Sequence, residues 1–131
     1  MAFKIFSTDD GYVPSIEYLP CSAVTPKVGM ALTQASGKLA LATGTTAPTY
    51  ISMCEKDSAC VEGDIIPVIR VLPNMVFETT NSAAFTSVSL GAKVTLHTDG
   101  MQVTATTTSG VAEVVGFDGT AVGSVVRVRL A

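Results

Sequence analysis

The chain has no tryptophan, a single histidine (His97), three cysteines and only 15% charged residues. Each shortage removes a class of function. A structural zinc site needs four converging ligands, and Cys21, Cys54 and Cys60 lack zinc-ribbon spacing. Eight Lys and Arg against eleven Asp and Glu leave a net charge of −3. With no basic cluster to neutralise phosphates, no direct nucleic-acid partner is expected. No apolar run approaches the roughly 18–20 residues of a membrane span, so no membrane partner is expected either. Met1 to Asp10 is too acidic and too poor in apolar residues for a secretory signal, which predicts folding in a cytosol. No segment keeps a 3.6-residue period over three turns, and a brief helix around Asn81 to Phe85 is the most that is expected.

Catalytic patterns are equally sparse. His97 and Asp99 could be drawn into a Ser-His-Asp triad, but no G-x-S-x-G nucleophile motif is present. His97 reads as a residue flanking a turn. Gly116-Phe117-Asp118-Gly119 and Gly91-Ala92-Lys93 lack the strand, loop and helix context of a phosphate loop. Asp9-Asp10 sits where a catalytic carboxylate pair would have no rigid scaffold. The expectation is a protein that is not an enzyme, with no catalytic residue, metal or cofactor. Cys54 and Cys60 flank Glu55 to Ala59 and would come within bonding reach if that loop is a tight hairpin. The alternative is three reduced thiols, as suits a cytosolic protein.

What the chain does contain is a repeat. Val28 to Thr33 leads through Ala35-Ser36-Gly37 into Lys38 to Thr43, and Leu90 to Leu96 leads through Thr98-Asp99-Gly100 into Met101 to Thr106. Each copy continues through a Thr-rich loop into an apolar strand, Tyr50 to Cys54 or Val111 to Phe117. Each closes on a glycine and an Arg-containing strand, Gly63 to Val71 or Gly123 to Leu130. The hairpin glycines lie 63 residues apart and the closing glycines 60. Two copies make a compact duplicated unit, since a stacked solenoid needs at least about three repeats. Each is near the size below which an isolated core is marginal, so the two should share one.

Period-two alternation bounded by Gly, Asp, Ser and Thr predicts about eight or nine short strands. The fold class expected is all-β: a compact antiparallel β-barrel or small sandwich built from a duplicated strand-hairpin unit. Its body spans residues 26–131, with repeats at about 26–72 and 89–131. Pro67 marks Ile65 to Val71 as an edge strand or a bulged one.

Residues 1–25 differ. They carry Pro14 and Pro20 and no sustained alternation, which predicts an extended N-terminal arm with a short strand at Ser15 to Tyr18, the alternative being a disordered tail. Yet Phe3, Ile5, Phe6, Tyr12, Val13, Ile16 and Tyr18 are too apolar for a solvating tail, and they are the candidate docking residues. Deleting residues 2–19 is expected to leave a folded body. Arg127 and Arg129 share one face of the last strand, and Arg70 is read as their match in the first copy. All three are either a solvated strand face or carboxylate partners across an interface, where Arg outperforms Lys. The run Thr104 to Ser109 either presents hydroxyls to a glycan or forms the solvent face of a strand.

The Gly37-Lys38-Leu39 hairpin, Ala42-Thr43-Gly44, Pro48, Gly63-Asp64 and Ile66-Pro67-Val68-Ile69-Arg70-Val71 resemble the small head-decoration, or capsid-cement, proteins of tailed bacteriophages. The resemblance covers residues 26–131. It implies a homo-oligomer, a trimer foremost, that is made in the host bacterial cytoplasm and binds the major capsid protein on the outer surface of the virion. It also implies an N-terminal arm that adds a strand to the capsid. The competing expectation is a phage head-fibre or receptor- and glycan-binding module, weakened by the absence of Trp for stacking on sugars.

Overall fold

The computed structural model describes residues 2–131. Ten strands follow one another: β1 (Lys4–Thr8), β2 (Ile16–Pro20), β3 (Ala31–Ala35), β4 (Lys38–Leu41), β5 (Tyr50–Ser52), β6 (Ile65–Arg70), β7 (Met75–Thr80), β8 (Lys93–Val94), β9 (Ala112–Phe117) and β10 (Val125–Arg129). A single 3-10 turn, Asp9–Gly11, separates β1 from β2. The strands form two five-stranded antiparallel sheets, β2-β6-β5-β3-β4 and β1-β7-β10-β9-β8. The protein is all-β, with an architecture between sandwich and barrel; neither sheet closes into a full barrel.

Local chemistry explains the hairpins. Ser36 (φ 52°) and Gly37 (φ 77°) both adopt positive φ between β3 and β4. That is the two-residue turn whose twist matches the strands it joins. The second hairpin is longer. His97 N–H donates to Gln102 O, Gly100 N–H to His97 O, and Asp99 Oδ1 accepts Met101 N–H at 2.8 Å. This larger loop accounts for the wider spacing between the hairpin glycines.

The duplication is written in main-chain hydrogen bonds. Cys21 N–H donates to Asp64 O, and Asn81 N–H donates to Ser124 O. Gly63 N–H returns to Cys21 O as Gly123 N–H returns to Asn81 O. Gly29 N–H bonds Ser52 O, and Gly91 N–H bonds Val114 O, both at 2.8 Å. Ser22 gives both its N–H and its hydroxyl to Leu39 O, and Ser82 does the same to Val103 O. In each repeat one parallel bridge, Cys21 to Leu39 or Asn81 to Val103, draws the first strand's end toward the hairpin and curls the sheet.

These matches move the repeat boundaries. The first strand of each unit is β2 or β7, so the repeats begin near residues 16 and 75 rather than 26 and 89. Pro14 before β2, Pro20 at its end and the polar end of β7 hide this from a reading of alternation. The register also corrects the match proposed for Arg70. Ser52 pairs with Val68 and Val114 with Val128, which makes the buried Leu130, not Arg127 or Arg129, the counterpart of Arg70.

The described part of the expected arm, residues 2–25, is not separate from the body. β1 pairs with β7 and β2 with β6, so this segment supplies the outer strand of both sheets. β1 escaped the pattern because a bulge between Ile5 and Ser7 breaks its alternation, and because it is exposed on both faces. Phe3 is 1% exposed and belongs to the main core, with Phe77, Met75, Leu96, Val126 and Val128. Its N–H donates to Gly29 O at 2.9 Å, and a Cβ on Gly29 (φ 85°) would lie 2.6 Å from Phe3 O. Gly29 is therefore required both for its backbone angle and for this close approach.

A smaller core of Cys21, Met30, Leu32, Leu39, Tyr50, Cys60, Ile66 and Val68 fills the curl of the first sheet. Ala31, Ile51 and Ile69 leave the opposite face of the same strands and join the main core. Phe3→Ala should destabilise the fold by about 3–5 kcal/mol, the usual loss for a buried Phe. Denaturant melts of parent and variant test this, and a loss near zero would show that the N-terminal segment is dispensable after all.

Candidate docking surface

With Phe3 buried, the other six candidate docking residues can be placed one by one. Ile5, Phe6, Tyr12, Val13, Ile16 and Tyr18 are all exposed, from 37% at Tyr12 to 81% at Val13. Burial corrects only Phe3, which anchors the segment instead of meeting a partner. Ile5 and Phe6 stand on β1, Ile16 and Tyr18 on β2, and Tyr12 and Val13 in the connection between them. Main-chain pairing holds the two strands in fixed positions, so the apolar side chains are presented on rigid sheet margins.

The three arginines have partners within the chain. Arg70 grips Glu17 through Nε and Nη2, both at 3.0 Å, and lies over the Tyr50 ring at 5.1 Å. The Glu17 carboxylate raises its pKa further above the ordinary guanidinium value. Arg127 holds Asp118 through Nη1 and Nη2, and its guanidinium lies 4.5 Å from the centre of the Phe6 ring. Glu78 Oε2 stands 3.3 Å from Arg127 Nε. Arg129 donates to Pro73 O at 2.7 Å. Apart from the half-buried Glu78–Arg127 pair these contacts are exposed, where an ion pair contributes roughly 0–1 kcal/mol, so they orient side chains more than they stabilise the fold.

The remaining candidates do not assemble a catalytic centre. Asp99 is engaged in its hairpin and does not orient His97. Thr104 turns its hydroxyl to Thr95 at 2.7 Å, while Thr106, Thr107, Thr108 and Ser109 face solvent. No group of three or more His, Cys, Asp or Glu that could hold a metal ion occurs among the described residues. No helix among them is long and apolar enough to cross a membrane. A cleft of about 460 Å³ lies between the segment before β3 and the second hairpin, lined by Val24, Met30, Leu41 and Met101 with Lys27 and Asp99. Its charged groups already have partners: Lys27 Nζ reaches Glu55 and Lys56 O, and Asp99 is held as described. The cleft is apolar without the convergent polar groups that usually orient a ligand.

All three thiols are free and gather at the smaller core. Cys21 meets Cys60 rather than leaving Cys60 to Cys54. That contact could not be read from spacing, because it joins the end of β2 to the far end of the loop before β6. Burial, with the Cys60 contact and the Asp64 charge behind it, pushes the Cys21 thiol from 9.0 up to about 12.

No known protein family's model matches the chain, and no curated protein matches it in sequence.

The raised thiol has a consequence in alkali. Between 9.0 and about 12 the unfolded chain releases the Cys21 proton while the folded chain keeps it. The associated stability is whole below pH 9 and is lost as pH rises toward 12. Urea melts across that range should show the stability difference between the parent and Cys21→Ala shrinking with rising pH. A constant difference would mean that Cys21 does not titrate differently on unfolding.

Proposed function

We propose that this chain is a structural protein of a virion: a decoration, or cement, protein that docks on the outer surface of a phage head and stabilises it without catalysis. The observation that carries the reading is the distribution of exposed apolar side chains. Twelve large hydrophobic residues are exposed among those described, and six of them fall between Ile5 and Tyr18. Monomers rarely gather exposed apolar groups in this way unless a partner covers them. β1 and β2 also end their sheets, and an outer strand offers unpaired main-chain groups to a second chain. The family resemblance of residues 26–131 supplies the partner in this reading, the major capsid protein.

A cement protein needs a stiff body more than a reactive site. The β-body joins two cores through strands buried on both faces, and its outer strands are tied in by Phe3 and by pairing to β6 and β7. Binding would then cost little ordering entropy, because the apolar groups are already fixed in place. This differs from an arm that orders on docking.

Co-sedimentation with undecorated heads tests the role. Phe6→Lys and Val13→Lys change exposed side chains and should keep the parent's melting curve. Each should lower retention on heads by about tenfold, equivalent to roughly 1.4 kcal/mol. Undiminished retention of both variants would remove this surface from the docking role, and failure of the parent to bind any head would remove the role itself.

A further inference from the structure

The two repeats differ at one edge. In the second, β7 carries β10 on one side and β1 on the other; in the first, β2 carries β6 and ends the sheet. Which main-chain groups β2 turns outward follows from the proline on β6. Met53 N–H donates to Pro67 O and Val71 N–H to Thr49 O, so residues 67 and 71 of this stretch face β5. Alternation then turns Ile66 and Val68 toward β2, opposite Leu19 and Glu17. Ile16 and Tyr18 are left with N–H and C=O directed away from the sheet. The equivalent positions in the second repeat are Val76 and Glu78, the residues that β1 meets through Ser7 and Lys4. The fold thus shows what this edge accepts: an antiparallel strand.

We propose that a second copy of this chain fills it. β2 pairs antiparallel with β2 of the second copy about a two-fold axis at Glu17. Ile16 of each copy exchanges both main-chain bonds with Tyr18 of the other. The next outward positions, Pro14 and Pro20, have no N–H, and β4 bridges to the chain at Cys21, so the ladder is confined to Ile16 and Tyr18, as that of β1 is confined to the matching stretch of β7. The short edge is complementary to itself in this register.

The side chains agree with the backbone. Ile16 is 51% exposed, Tyr18 67% and, beside Pro20 on β6, Ile65 59%, all on one face of the sheet. Pairing lays Tyr18 against Ile16 of the other copy, an aromatic against a β-branched residue, which favours cross-strand contact. Proline, a common guard of edge strands, stands only at Pro14 and Pro20 and leaves Ile16 and Tyr18 between them free to pair. On the opposite face Glu17 meets its own copy. Two carboxylates there would repel, but Arg70 holds each one through two hydrogen bonds. Arg70 thereby acquires an interface role through its own chain's Glu17. The symmetry is two-fold, unlike the three-fold association that the family resemblance implies. The contact takes the β2 edge, with Ile16 and Tyr18, and leaves head docking to β1 and the connection after it, where Phe6 and Val13 stand exposed.

Sedimentation equilibrium of the full chain over a wide concentration range tests the proposal. A reversible dimer is expected. Ile16→Lys and Tyr18→Lys should each weaken it by tenfold or more while keeping the parent's melting curve, and Phe6→Lys should leave it unchanged. Arg70→Ala should also weaken it, by leaving Glu17 to face its copy, and adding Glu17→Gln should restore it. Amide exchange at Ile16 and Tyr18 should slow as concentration rises. A monomer at every concentration overturns the proposal. So does a trimer, or any association indifferent to the β2 substitutions.

Discussion

The central strands of the first sheet, β3, β5 and β6, carry buried residues on both faces, and the rest of the molecule depends on it. Leu32, Tyr50, Ile66 and Val68 turn into the smaller core, while Ala31, Ile51 and Ile69 turn into the larger. Neither repeat is large enough to be secure alone. A sheet with apolar residues on both sides lets one set of strands complete two interiors. Two main-chain links hold the repeats in register across that sheet. Gly44 and Leu96 exchange N–H···O bonds of 3.0 and 2.9 Å, and Ala31 N–H donates to Gly100 O at 2.7 Å.

The same arrangement determines what remains at the surface. Because the central strands of the first sheet are covered on both faces, many of the exposed apolar groups fall on the outer strands β1 and β2 and in the turn joining them. Phe3 anchors one end of this segment in the main core, and β2 carries the other into the first sheet. The apolar side chains between these two attachments are held outward by the fold. That rigidity separates a docking surface from a disordered tail, and it is why the segment belongs to the body as well as to the contact.

Asymmetry between the repeats is informative for the same reason. Cys21 and Asn81 occupy equivalent positions with equivalent main-chain bonds, yet one side chain is a buried thiol against Cys60 and the other a carboxamide whose Oδ1 accepts Ser124 N–H at 2.8 Å. Leu130 is buried where Arg70 is exposed. The backbone plan was kept through duplication while side chains diverged according to what covers each position. β1 covers the edge of β7, whereas no strand among the described residues pairs with the outer edge of β2 before its bridge to Leu39, which leaves Arg70 and Glu17 beside a stretch still able to pair.

Alternation, turn glycines and the spacing of the copies were enough to establish an all-β chain with a duplicated unit, because period-two patterning and positive-φ turns are local properties. The hairpin at Gly37 and the half-buried last strand, Val126 to Leu130, were legible for that reason. The N-terminal segment was not. Prolines and a bulge erased the alternation of β2 and β1, and whether Phe3 is buried depends on Gly29 and on a core assembled from residues distant in the chain. The arginine partners were equally hidden: Glu17 and Arg70 meet only because β2 lies beside β6. Local pattern determined which segments are strands. Only the tertiary structure decided which strands are neighbours, and therefore which apolar residues form the core and which remain for a partner.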